Sequence, residues 1–100
     1  MDKYVVKLYA RANRELDNIY AYIAKSLHEP GTAENMAEVL EQSILSLETL
    51  PERSAIRRIG IYANQGYRQL FVKNYVIIYR VLKREKEVHI VTVRYAPSDF

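Results

Sequence analysis

The stretch RQLFVKNYVIIYRV, Arg68 to Val81, constrains the fold more than any other segment. It reads as two strands joined at Lys73-Asn74, and β-branched and aromatic residues dominate it. Side chains alternate across a strand, so each face collects every second residue. Tyr75, Ile77, Tyr79 and Val81 form one face without a charge, the natural core face. Val76, Ile78, Arg80 and Leu82 form the other, which is also largely apolar. An antiparallel sheet with one wet face alternates cleanly between apolar and polar residues. This one does not, so something must cover the second face as well as the first. The candidates are a partner, a ligand, or the chain's own irregular segment 51–66 or C-terminal end. A contiguous exposed apolar patch marks an interaction surface, and the expectation is that Val76, Ile78 and Leu82 stand exposed beside Arg80.

The rest of the chain supplies one covering layer. Lys3–Ala10, KYVVKLYA, reads as a strand. From Ala12 the period lengthens: Leu16, Ile19, Tyr20, Ile23 and Leu27 recur at helical spacing. HEPGT, 28–32, breaks that helix, and Thr32 is placed to cap a second one. Its stripe is Ala33, Met36, Ala37, Leu40, Ile44 and Leu47, ending before Pro51. The short connection makes an antiparallel helix hairpin. Residues 51–66 show no period and read mostly as loop, with a short strand or turn near Ile59–Tyr62. Tyr67–Lys73, Tyr75–Lys83 and Glu87–Tyr95 then read as hairpin-linked strands. In the last, Val88, Ile90, Thr92 and Arg94 oppose His89, Val91, Val93 and Tyr95. The order β-α-α-β-β-β predicts a two-layer α+β fold, a mainly antiparallel sheet on a helix hairpin.

At 100 residues the chain is expected to be a single domain, 1–100. It lacks cysteine, which excludes disulfides, thiolate metal sites and a cysteine nucleophile. Two isolated histidines give no metal-ligand spacing, and no glycine-rich phosphate loop is present, so no metal or cofactor is expected. The N-terminus is charged throughout and no apolar span is long enough for a bilayer, so a cytoplasmic protein without membrane association is expected. Charge is unevenly divided. Residues 1–50 carry five Lys/Arg against eight Asp/Glu, a balance of −3, and residues 51–100 carry ten against four, a balance of +6. That asymmetry points the second half toward an acidic partner or nucleic acid.

Taken in order, several segments resemble the RelE/ParE superfamily of type II toxin–antitoxin toxins. ARANRELDNIYAYIAKSL resembles its first helix and EPGTAENMAEVLEQSILSLETLP its second. GYRQLFVKNYVIIYRV is similar to its central hairpin, and VHIVTVRYAPSD to its closing strand. The resemblance implies a toxin silenced by a cognate antitoxin that wraps it with an extended strand and a helix. The implied assembly is a toxin–antitoxin hetero-oligomer or a homodimer. Arg68, Leu70, Val72, Lys73, Val76, Ile78 and Arg80 are the expected target or antitoxin contacts.

Two modes of action follow from the resemblance, and they differ in whether the protein is an enzyme. RelE-like members cleave messenger RNA on the ribosome, and ParE-like members poison DNA gyrase. Metal-free RNA cleavage needs a base, an acid and stabilisation of the pentavalent phosphate. Here Val76 follows Tyr75 where an Arg is expected, and Ala96 follows Tyr95 where a His or Arg is expected. Arg68, Arg80, Arg94 and Tyr95 are the remaining nuclease candidates. This departure, and the long helix hairpin, favour the ParE-like mode; an inactive toxin-fold binding module is the third reading. Among other residues, His89 reads as structural because no partnering carboxylate motif is visible, and His28 as a helix-end residue near the dipole. Tyr4, Tyr9, Tyr75 and Tyr79 read as packing residues in strand interiors. The adjacent pair Arg57-Arg58 is a weak nucleic-acid candidate.

Overall fold

A computed structural model describes residues 3–26, 28 and 30–97. Strand β1, Val5–Leu8, leads into helix α1, Ala10–Ala21, which loosens into a π-helical turn at Tyr22–Ser26. Helix α2, Pro30–Leu45, tightens into a 3₁₀ turn at Ser46–Glu48. It begins at Pro30 rather than at a Thr32 cap. Proline is tolerated there because the first amides of a helix have no intrahelical acceptor. Strands β2, Arg68–Val72, β3, Tyr75–Leu82, and β4, Glu87–Tyr95, complete the chain, and the sheet order is β1-β4-β3-β2. β2, β3 and β4 are antiparallel neighbours and β1 lies parallel to β4. The expected α+β order is therefore the observed one. Leu27, part of the expected first stripe, lies outside the described residues.

The helices cover the expected face. Ile77 and Tyr79 of β3 are fully buried with Val72, Val88, Ile90 and Val93 against Ala12, Leu40, Ile44 and Leu47. Burying a large apolar side chain of this kind contributes about 1.5–3 kcal/mol. The Tyr79 hydroxyl stays satisfied by donating to the Pro51 carbonyl at 2.6 Å. That bond ties the centre of the sheet to the segment leaving α2. Arg53 closes the same region, donating to the Ser46, Thr49 and Leu50 carbonyls at the end of the second helix.

The second face is covered by the chain itself. Val76 and Ile78, expected to be exposed, are each 0% exposed. They form a smaller core with Val91 and with Tyr62, which a 3₁₀ turn at Gly60–Tyr62 lays over the sheet; Tyr67 and Ala96 close its margins. Tyr67 stands edge-on to Tyr62 with ring centroids 5.3 Å apart. Arg57, 4% exposed, anchors this lid by donating to the Ile59 carbonyl and the Gln69 side chain. A free nucleic-acid contact by Arg57 is thereby corrected: its guanidinium is spent on the loop.

The face assignment of the last strand is also corrected. Ile78 pairs with Thr92 but Tyr79 pairs with Ile90, so Val91 is an extra residue in β4. A bulge of this kind reverses the alternation on either side of it. Val93 therefore joins the helix-covered core, and Val91 turns to the opposite face beside Tyr62.

Candidate functional site

A groove of about 850 Å³ opens between the helices and one end of the sheet. One wall is Ile19 of α1 with Tyr22 and Ile23 of the π-helical turn; Thr32 and Met36 of α2 form the other; Tyr75 and Tyr95 close the sheet end. The π-helical turn matters here, since such turns re-aim side chains and recur at functional sites. It leaves Tyr22 56% exposed at the rim. Tyr95 is 49% exposed and meets Tyr75 edge-on, centroids 5.8 Å apart. Burial, followed by the neighbouring Tyr95 and Tyr22, raises the Tyr75 phenol above its ordinary value. All three rings present an apolar body with a polar tip, a combination suited to recognition.

Glu15 organises the inner end of the groove. β1 stops pairing at Leu8, opposite Ile90, so among the described residues the edge of β4 beyond that point has no strand neighbour. Glu15 of α1 takes its place: one carboxylate oxygen accepts from the buried Thr92 hydroxyl at 2.6 Å and from the Val93 amide at 3.1 Å. The other lies 3.6 Å from Arg94, whose Nε also donates to Thr92. The sequence gives no sign of this role. Glu15 sits among polar helix positions and its partners are 77 and 78 residues away.

The expected site residues do not converge. Arg94 and Tyr95 line the groove. Arg68 is drawn the other way and donates to the Glu52 and Ser54 carbonyls, with an ion pair to Glu52 at 3.5 Å. Arg80 is exposed on the opposite face, over the Tyr67 ring at 5.9 Å. The register also divides the expected partner contacts. Leu70 pairs with Ile77 and Val72 with Tyr75 on the helix-covered face, whereas Val76 and Ile78 lie beneath Tyr62. These four therefore do not form one exposed patch. Lys73 is exposed in the β2–β3 turn with φ 56°.

His89 departs from its expected isolation. Its Nε2 lies 2.9 Å from Glu87 and its Nδ1 3.3 Å from the Tyr9 hydroxyl, while Lys7 pairs with Glu87 at 2.7 Å. Glu87, two residues away on the same strand face, is the carboxylate partner that the sequence reading misses; the Tyr9 contact, 80 residues away, has no local signal. Tyr9 is not a strand-interior residue, since it caps the start of α1 and is 39% exposed. His28 is exposed with φ 52°, between the helices rather than within the first. Hydrogen bonds from Lys7 and then His89 lower the Glu87 carboxyl below its ordinary value of 4.5. A lowered folded value stabilises the fold above the ordinary glutamate range, and that contribution is lost as pH falls through the folded value. A carboxyl-resolved NMR titration is expected to place Glu87 below 4.5 in the native chain and to move it upward in Lys7→Met. An unchanged midpoint in that variant would remove Lys7 as the cause.

Among the described residues no group of three His, Asp or Glu side chains could hold a metal ion, and no helix is long and apolar enough to cross a membrane.

Comparison with known proteins places this geometry in a family. No curated protein sequence is significantly similar to the chain. Among solved structures, the chromosomal ParDE toxin–antitoxin system of P. aeruginosa is similar, with a TM-score of 0.76 at 21% identity, covering 93% of this chain and 96% of that one. The RelBE2 toxin–antitoxin complex of Mycobacterium tuberculosis follows at 0.66 and 22%, covering 95% and 93%. The intact RelBE complex of E. coli gives 0.62 and 15%, covering 95% and 99%. At these identities the likeness establishes the fold. The family rests on sequence: the profile described as "ParE toxin of type II toxin-antitoxin system, parDE" matches residues 6–100. The chain belongs to the ParE toxin family, within the RelE/ParE superfamily of type II toxin–antitoxin toxins.

Proposed function

We propose that this toxin acts by inhibiting DNA gyrase and is neutralised by a cognate antitoxin seated in the groove between the helices and the sheet. The family match across residues 6–100 carries the first part. The scatter of the nuclease candidates supports it: Arg68 is tied to the 52–54 backbone and Arg80 lies on the other face of the sheet from it, so neither joins Arg94 and Tyr95 around one phosphate. Without a base, an acid and cations converging on one phosphorus atom, metal-free cleavage lacks its machinery.

The groove carries the second part. Apolar walls with aromatic rims fit the apolar face of an amphipathic helix, and the open edge of β2 beyond the Ile56–Arg68 bridge can accept an added strand. Leu70, Val72 and Lys73 contribute through that edge, and Phe71, 56% exposed, offers an anchor. Arg80 is proposed as a contact with the target.

Pulse-labelling after induction of the chain alone in a bacterium tests the mode of action. DNA synthesis is expected to fall before protein synthesis, and purified toxin is expected to block supercoiling by gyrase. Early loss of translation would instead indicate ribosome-dependent mRNA cleavage, and loss of neither an inactive binding module. For the groove, Tyr22→Asp is expected to weaken antitoxin binding by about 30-fold or more, the scale of an aromatic hot spot replaced by a charge. Unchanged affinity would move the antitoxin elsewhere.

A further inference from the structure

Between Glu52 and Glu85 the chain carries eight Lys/Arg and no Asp/Glu. Part of that charge is used internally: Arg57 anchors the lid, and Arg68 and Lys83 pair with Glu52. Arg58 and Arg80 stay exposed. Arg58 belongs to the lid, and Arg80 stands over Tyr67, whose ring meets Tyr62 of the lid edge-on. The lid also turns apolar side chains outward. Ile59 and Ile61, 65% and 63% exposed, are the two most exposed large apolar side chains among the described residues. They flank Gly60, whose φ of 75° suits glycine and few other residues. The turn is held from several sides. The Arg57 amide donates to the Tyr67 carbonyl at 2.7 Å and the Asn64 amide to the Arg57 carbonyl at 3.1 Å, which closes the base of the loop. The Gln65 side chain donates to the Ile61 carbonyl at 3.1 Å, and Tyr62 is packed into the second core. Two aliphatic side chains are thus fixed in water on a tip that neither of them helps to bury.

We infer that this lid tip, Ile59 and Ile61 with the exposed arginines Arg58 and Arg80, is the surface through which the toxin docks on its target, and that the target meets it with an apolar pocket rimmed by carboxylates. The inference rests on the gyrase reading above and adds the surface that makes the contact. A fixed tip loses little conformational freedom on binding, so the burial of its isoleucines converts efficiently into affinity. The arginines select the sign of the partner and speed the encounter, as charges around an apolar contact do. With no carboxylate in segment 53–84 to repel it, an acidic protein surface is the complement. A phosphate polymer would meet the arginines and leave both isoleucines in water. A bilayer would need more than two aliphatic side chains on a short turn, since stable anchoring takes a long amphipathic face or a lipid chain.

Surface plasmon resonance of the purified full chain over immobilised DNA gyrase tests it. Ile59→Ala/Ile61→Ala is expected to dissociate about tenfold faster than the native chain, with the same dependence on salt. Arg58→Ala/Arg80→Ala is expected to associate about fivefold more slowly at low salt and to approach the native rate at about 0.5 M salt, where surface charges are screened. Lys25→Ala, an exposed cation on the π-helical turn, is expected to change neither rate. Urea midpoints of the variants are expected to match the native chain, which separates docking from folding. Gyrase binding that the isoleucine variant retains in full overturns the inference and leaves the gyrase reading standing. A native chain that does not bind gyrase removes that reading and the inference with it. An isoleucine variant that keeps its gyrase affinity but loses sedimentation with phosphatidylglycerol vesicles, or loses a dimer formed by the native chain, assigns the tip to a membrane or to a second copy and overturns the inference.

Discussion

Tyr62→Ala is expected to destabilise the protein by about 3–5 kcal/mol, the range for truncating a buried aromatic side chain. Tyr62 is 8% exposed, although it lies in a segment without regular strand or long helix. Its ring roofs Val76, Ile78 and Val91, leans on Tyr67, and receives a hydrogen bond from Arg11 at 3.1 Å. Truncation would leave a cavity over two of the most buried residues of the sheet. Tyr62→Phe keeps the ring and loses one part-buried hydrogen bond, so about 1 kcal/mol is expected. Ile59 and Ile61, neighbours in sequence but 65% and 63% exposed, serve as controls expected to stay within about 0.5 kcal/mol on truncation to Ala. Urea denaturation reads all four. A Tyr62→Ala cost no larger than that of the controls would mean that segment 51–66 does not close the second face in solution.

The second large effect is expected at Glu15. Glu15→Ala removes the acceptor of the buried Thr92 hydroxyl and of the Val93 amide, and leaves Arg94 without that carboxylate. Each buried donor left unpaired costs about 1–3 kcal/mol, so a loss of about 2–4 kcal/mol is expected. Glu15→Gln retains an amide oxygen that can accept the same bonds and should recover most of that loss. Hydrogen exchange distinguishes local from global effects. The Val93 amide is expected to exchange much faster in Glu15→Ala while amides at the centre of β3 change only with global stability. Equal stability of Glu15→Ala and the native chain would show that solvent replaces the carboxylate at the open edge of β4.

Much of the fold was legible because it depends on local pattern. Leu16, Ile19 and Ile23 at helical spacing, and Leu40, Ile44 and Leu47 after them, each describe a face that must be buried. Tyr75, Ile77, Tyr79 and Val81 formed the one strand face without a charge, and the helices do pack there. The groove was not legible in the same way. Its walls come from α1, α2 and the far ends of β3 and β4, and its inner end depends on Glu15 reaching across 77 residues.

The sequence by itself determined which segments are helix and strand, their order, the face the helices cover, and the kinship with ParE toxins. The elements, their order and the buried face follow from period, turn residues and propensity, which act over a few residues at a time; the kinship rests on the likeness of whole segments taken in order and on the family match over residues 6–100. Only the tertiary structure decided what covers the second face, which way Val91 and Val93 point, and which arginines remain free for a partner. A single extra residue at Val91 reverses the alternation of a strand, and no residue in that strand announces it. The aperiodic segment 51–66 carries its most consequential side chain, Tyr62, at a position where neither helical nor strand spacing applies. Arg68 and Arg80 look alike in sequence, yet backbone carbonyls at Glu52 and Ser54 claim the first and leave the second exposed over the Tyr67 ring. Each of these outcomes is settled by contacts between residues far apart in the chain, where the deciding energy is burial and hydrogen-bond satisfaction rather than local preference.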